Sequence, residues 1–197
     1  MDDAMMSDSD VLHTLKELGA IHNGHFVLTS GRHSDTYVQC ARILENPEVT
    51  TRLAKVAAAR LSGLEVDLVA SPAVGGIIFG FAVAQTLGVD FIFSEREAGK
   101  MTFRRGFSVP EGSRVLIVED VITTGGSVKE VSDLVREANG VPVGVVSLID
   151  RGGEKLFGEP SYPILQLDID SWEPDSCVLC AKGEPVVSPG SRRISSK

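Results

Sequence analysis

VLIVEDVITTGGS, residues 115–127, sets an apolar run before two acids, two further apolar residues and a turn rich in threonine and glycine. Four consecutive apolar residues suit a strand covered on both faces of its sheet. A glycine-rich turn opening a helix presents several backbone N–H groups and the positive end of the helix dipole, which suit a phosphate dianion. The hydroxyls of Thr123, Thr124 and Ser127 add donors, while Gly125 and Gly126 permit close approach and dihedrals closed to other residues. A phosphate would repel Glu119 and Asp120, so these acids call for hydroxyls or a metal-bound ligand. A ribose 5-phosphate answers both needs, since its hydroxyls lie close to its phosphate. Neither GxxxxGK[ST] nor GxGxxG occurs in the stretch, which excludes a Walker loop and a dinucleotide fingerprint. A generic strand, turn and helix with a threonine cap is the plain alternative; the paired acids weigh against it.

Outward from this stretch, residues 47–150 alternate helix and strand patterns. Residues 47–61 open with Pro47 and space Val49, Leu53, Val56, Ala57 and Leu61 as one helical face. A short strand at 67–70, an apolar helix at 75–87 ended by Gly88 and a strand at 91–93 follow, then a polar loop. A strand at 114–119, a helix at 125–138 and a strand at 141–149 complete the series. Such alternation predicts an α/β fold with a mostly parallel central sheet flanked by helices. Residues 8–40 read as a helix followed by strands near 26–28 and 36–39, joined by a polar turn at 29–35. We expect these residues, about 8–45, to form a small hood with part of the C-terminal tail. The core spans about 46–157, within a single domain of residues 1–197.

The 197 residues are 43% hydrophobic and 23% charged, the balance of an ordinary globular domain able to bury its own core. Apolar runs are too short and too broken by glycine for a membrane helix. The first ten residues, MDDAMMSDSD, are acidic where a signal peptide would be basic, so the expected location is the cytoplasm. A net charge of −8 disfavours nucleic acid as a partner but leaves room for a small anion in a cleft lined by a few bases. The group Arg96, Lys100, Arg104 and Arg105 is such a concentration.

VLIVEDVITTGGS resembles the 5-phosphoribosyl 1-diphosphate (PRPP) signature of type I phosphoribosyltransferases, which implies that fold. The resemblance assigns PRPP contacts to Glu119, Asp120, Val121, Ile122, Thr123, Thr124, Gly125, Gly126 and Ser127, with the acids on the ribose hydroxyls. Four more segments, in order between about residues 11 and 151, resemble the orotate phosphoribosyltransferase family in particular. FVLTSGRHSDTY, residues 26–37, is similar to its hood segment, with Thr29 where many members have a lysine; Arg32 is a candidate replacement. SPAVGGIIFG, residues 71–80, resembles its diphosphate loop. FSEREAGKMTFRRGF, residues 93–107, resembles its mobile catalytic loop, so Arg96 and Lys100 are the expected catalytic and PRPP-binding bases; Thr102 stands where many relatives have histidine. LIDR, residues 148–151, places Arg151 where the family pairs an arginine with the orotate carboxylate, a match for a planar guanidinium. Thr123 would touch orotate as well as phosphate.

The implied reaction transfers ribose 5-phosphate from PRPP to N1 of orotate, with Mg²⁺ carried in by PRPP and no dedicated protein ligand for it. A homodimer sharing the catalytic loop across subunits is also implied. The remaining readings are a purine or xanthine phosphoribosyltransferase and a PRPP-sensing regulator of the same fold. Three cysteines, Cys40, Cys177 and Cys180, argue against a disulfide framework. Cys177 and Cys180 form a CxxC that looks like half a zinc ribbon; a structural zinc site needs four ligands and only Cys40 and the distant His13, His22, His25 and His33 remain, so structural or incidental thiols are expected ahead of a metal or redox site. His33 is expected to be solvated.

Overall fold

A computed structural model of the chain describes residues 6–28, 30–152 and 154–189. Helix α1 (Asp8–Glu17) precedes a hairpin of β1 (Ile21–Val27) and β2 (His33–Val38). Helices α2 (Ala41–Leu44) and α3 (Pro47–Arg60) lead into β3 (Leu68–Pro72), α4 (Gly75–Leu87), β4 (Asp90–Glu97) and β5 (Lys100–Phe103). Then come β6 (Arg114–Ile122), α5 (Gly126–Glu137), β7 (Val141–Asp150), β8 (Ser161–Gln166), β9 (Ser171–Trp172) and α6 (Val178–Ala181).

Six strands form the central sheet in the order β5-β4-β3-β6-β7-β8, parallel throughout except for β5. The apolar run of β6 divides by alternation, as a strand buried on both faces must. Leu116 and Val118 join the core beneath α1, α3 and α4, whereas Val115 and Ile117 meet Val128, Val131 and Val135 of α5 on the other face. Helix α3 opens on Pro47 and Gly88 ends α4 with a φ of 73°, as the sequence suggests; the structure adds Asn46 as the cap of α3, its side chain accepting from the Val49 amide at 3.1 Å. Among the described residues no helix is long and apolar enough to cross a membrane.

The hood is a second sheet, β1-β2-β9, antiparallel throughout, to which Val187 adds a bridge to Phe26. The link between its first two strands is tighter than the expected turn of 29–35: the Leu28 amide donates to the Arg32 carbonyl at 2.8 Å. Thr29 lies outside the described residues. Two further differences concern the central sheet. The stretch after residue 93 is a β-hairpin rather than an irregular loop, with Arg96 opposite Met101 and Glu97 opposite Lys100. Its two-residue turn, Ala98–Gly99, has both φ angles positive, 48° and 83°, the geometry of the tight turns that suit twisted hairpins. Alanine at the first position hides that signal. Residues 161–166 add an unexpected strand to the sheet; Pro163 argues against a strand, but β8 lies at the edge, where proline is tolerated.

Candidate active site

Strands β6 and β7 end together: Ile122 pairs with Asp150, and the Arg151 amide donates to the Ile122 carbonyl at 2.8 Å. This puts the turns after both strands side by side at the carboxyl edge of the sheet, where open α/β sheets hold ligands. Gly125 takes a φ of 76°, and a Cβ there would fall 2.4 Å from the Phe157 ring, so both dihedral and space demand glycine. Among the described residues no side chain caps α5, which leaves its first amides available to an anion.

Glu119 and Asp120 lie just before that turn. The Asp120 carboxylate accepts from the Val121 amide at 2.9 Å and Glu119 from the Asp120 amide at 3.1 Å. Among the described residues neither acid has a cationic partner. Burial, with the Asp120 charge adding to it, pushes the Glu119 carboxyl well above its ordinary range. The N-terminus of α4 presses on this pair. A Cβ on Gly75 would stand 2.6 Å from both Asp120 oxygens, and one on Gly76 2.9 Å from the Val118 carbonyl. The stretch 71–76 therefore packs directly against the acids, and within it the Ala73–Val74 peptide is cis.

Beside the turn opens a cleft of about 380 Å³, lined by Thr123, Thr124, Arg151, Gly152 and Glu154 from the sheet edge and by Ser30, Arg32, Ile169 and Ser171 from the hood. Arg151 is its most informative wall. Its Nε is buried with no acceptor among the described residues, and burial pulls its pKa below the ordinary value. A desolvated guanidinium without a carboxylate is costly to leave unpaired. Arg32 is engaged instead with Glu173 and donates from Nε to Ser171 Oγ at 3.0 Å, so it braces the hood wall.

Lys155 escaped sequence reading. Its ammonium reaches the Asp150 carboxylate at 2.5 Å, the Gly152 carbonyl at 2.7 Å and the Thr123 carbonyl at 2.9 Å. It thereby ties the phosphate turn to the strand end that carries Arg151. A lysine in the polar stretch GGEKLF reads as a solvated charge, and no spacing marks it otherwise.

Thr123, Thr124 and Arg151 thus meet in one cleft, with Gly125 to Ser127 and the acids adjoining along β6 and α5. Arg96 and Lys100 do not line that cleft. Arg96 pairs with Glu130 of α5 at 2.9 Å, and Lys100 faces α5 beside Glu130 and Asp133. His33, expected in solvent, is buried, and its Nδ1 lies 2.8 Å from Nε2 of His25. Cys177 and Cys180, expected to be structural or incidental thiols, rest against these same two histidines. The hairpin pairing of β1 and β2 brings the histidines together, a contact that linear spacing conceals.

A parallel sheet with acids and a glycine-rich turn at the end of its central strand is the arrangement of the phosphoribosyl transferase domain, whose sequence profile matches residues 39–173. The orotate phosphoribosyltransferase of Thermoanaerobacter sp. (strain X514) is 47% identical over 96% of this chain and 100% of its own length. That of Caldanaerobacter subterraneus subsp. tengcongensis is 46% identical over the same shares. Among solved structures, the orotate phosphoribosyltransferase of Aeropyrum pernix superposes with a TM-score of 0.67 at 26% identity, covering 80% of this chain and 93% of that one. The chain belongs to the orotate phosphoribosyltransferase family.

Proposed function

We propose that the chain transfers ribose 5-phosphate from PRPP to N1 of orotate, giving orotidine 5-monophosphate and diphosphate, a step of UMP biosynthesis in the cytoplasm. The observation that carries this reading is Arg151: a half-buried guanidinium, its buried Nε without an acceptor among the described residues, in a cleft that adjoins a phosphate turn. Orotate brings a carboxylate to it, whereas the purine bases have none, which disfavours a purine or xanthine enzyme. The retained bases Arg96 and Lys100 disfavour a regulator that binds PRPP without turnover.

In this reading the amides of Gly125 to Ser127 and the hydroxyls of Thr123 and Thr124 hold the 5-phosphate, with Val121 and Ile122 flanking it. Glu119 and Asp120 accept from the ribose hydroxyls, and the stretch 71–76 receives the diphosphate. Thr123 and Arg151 hold orotate, so N1 faces the anomeric carbon while diphosphate departs. Two carboxylates without a cationic partner also fit Mg²⁺ carried by PRPP, which would supply charge neutralisation at the leaving diphosphate. Lys100 and Arg96 supply cations for the charge that grows on diphosphate.

Since neither base lines the cleft of its own chain, the proposal includes a homodimer in which each hairpin serves the neighbouring site. An exposed apolar stripe at the start of α4, Val74, Ile78 and Phe81, supplies a face for that pairing. The test is to mix the protein with PRPP, Mg²⁺ and orotate and follow the loss of orotate absorbance, with hypoxanthine and xanthine as controls. Turnover of orotate alone is expected; turnover of a purine without orotate would overturn the assignment.

A further inference from the structure

We infer that His25, His33, Cys177 and Cys180 form a tetrahedral Zn²⁺ site that fastens the C-terminal segment to the hood. One ligand atom from each residue lies within 4.8 Å of all the others. The CxxC turn opens α6, His25 stands on β1 and His33 begins β2, so three separated stretches of chain converge on one point.

Distances fit a metal of this size. Tetrahedral Zn–S and Zn–N bonds of about 2.3 and 2.0 Å put sulfur and nitrogen ligands about 3.5 Å apart. The sulfur–nitrogen separations are 3.5 Å for Cys177 to His25, 3.7 Å for Cys180 to His25 and 3.3 Å for Cys180 to His33. The two ring nitrogens, 2.8 Å apart, would open by about half an ångström to accept the ion, since their ideal separation is about 3.3 Å. Nδ1 of His25 lies 2.8 Å from the Glu184 carbonyl. A proton there fixes the tautomer that turns the Nε2 lone pair toward the cluster, the usual outer support of a metal-bound histidine.

His25, His33 and Cys177 are only 4%, 8% and 3% exposed. On binding, each thiol gives up its proton while both histidines stay neutral, so two protons leave and Zn²⁺ with two thiolates carries no net charge. A neutral centre suits this burial. With four protein ligands no position remains for water or substrate, which makes the centre structural rather than catalytic. Soft thiolates paired with imidazoles favour Zn²⁺ over Mg²⁺ or Ca²⁺.

The site reaches the cleft through one strand. His33 follows Arg32 and pairs with Trp172, next to Ser171, which also lines the cleft. Fixing His33 therefore steadies the hood wall.

The test uses the full chain, purified without a histidine tag under reducing conditions. Elemental analysis should find about one zinc per chain. Co²⁺ exchanged into the protein should give the visible bands of a tetrahedral thiolate site. Chelation should lower Tm, and Zn²⁺ returned to the same sample should restore it. Cys177→Ser with Cys180→Ser should abolish both metal content and cobalt bands. If that variant does not fold, His33→Gln takes its place, and the chelation cycle on the unaltered protein is independent of both. A metal-free chain that neither gains Tm with Zn²⁺ nor gives cobalt bands would overturn the inference, leaving a hydrogen-bonded group of thiols and imidazoles. Full zinc retained by the cysteine variant would overturn it too. None of these readings depends on turnover.

Discussion

Replacing Arg151 by glutamine separates binding from stability more sharply than any other change in the cleft. The folded chain holds this guanidinium half-buried, with Nε lacking an acceptor among the described residues. Removing a charge that nothing pairs relieves the free protein, so Tm should hold or rise. The bound state should suffer instead. Truncating one partner of a desolvated, hydrogen-bonded charge pair costs about 3 kcal/mol, which corresponds to a fall of about 150-fold in kcat/KM for orotate. Arg151→Lys keeps the charge but loses the planar fork, so it should recover part of that loss. The assay is steady-state turnover with orotate varied at saturating PRPP and then the reverse, alongside thermal melts. A loss confined to the PRPP parameters, or no loss at all, would refute the assignment of Arg151 to the base. A steep drop in Tm would show that the guanidinium has a structural partner.

Glu119→Gln should raise Tm at neutral pH while abolishing most turnover. Because burial lifts the folded-state pKa above the ordinary value of 4.5, the folded chain holds its proton longer than the unfolded one. That stability is present in full below pH 4.5 and is lost as pH rises through the folded value. Melts of the variant across pH should accordingly be flatter in this window than those of the parent; parallel curves would contradict it. Gly125→Ala forces a φ of 76° on a residue with a Cβ, at a cost of about 1–2 kcal/mol. With the Phe157 clash added, calorimetry should show a Tm loss of several degrees, and PRPP affinity should fall. Lys155→Met leaves Asp150 buried without its cation, so a loss of about 3 kcal/mol should appear in denaturant melts. Lys100→Ala should cut kcat far more than it weakens PRPP binding. Mixed with Arg151→Gln, it should regain about a quarter of parental activity if hairpins are exchanged in a two-fold dimer; no recovery would place both residues in one chain's site.

The sequence carried the fold because β6 signals its burial on both faces through an unbroken apolar run, and because Pro47 and Gly88 mark where helices begin and end. Gly125 was legible for the same local reason. What escaped depends on contacts between distant stretches. The hairpin at 98–99 uses alanine where a turn signal would show glycine or asparagine, so nothing marked β5. Pro163 masked β8, since only its edge position makes proline acceptable. Lys155 earns its role from three partners that converge only after β6 and β7 align. The histidines of the hood are eight residues apart and more than 140 from the CxxC, a separation over which linear spacing carries no information.

The central claim is that Arg151 selects a base by its carboxylate. Orotate and uracil share one ring and differ in that group, so the most direct measurement is the ratio of their kcat/KM values with the same PRPP and Mg²⁺. A site with a half-buried guanidinium whose Nε lacks an acceptor should prefer orotate by at least about 100-fold, and Arg151→Gln should collapse that ratio. Equal use of the two bases, or a ratio unmoved by the substitution, would contradict the account.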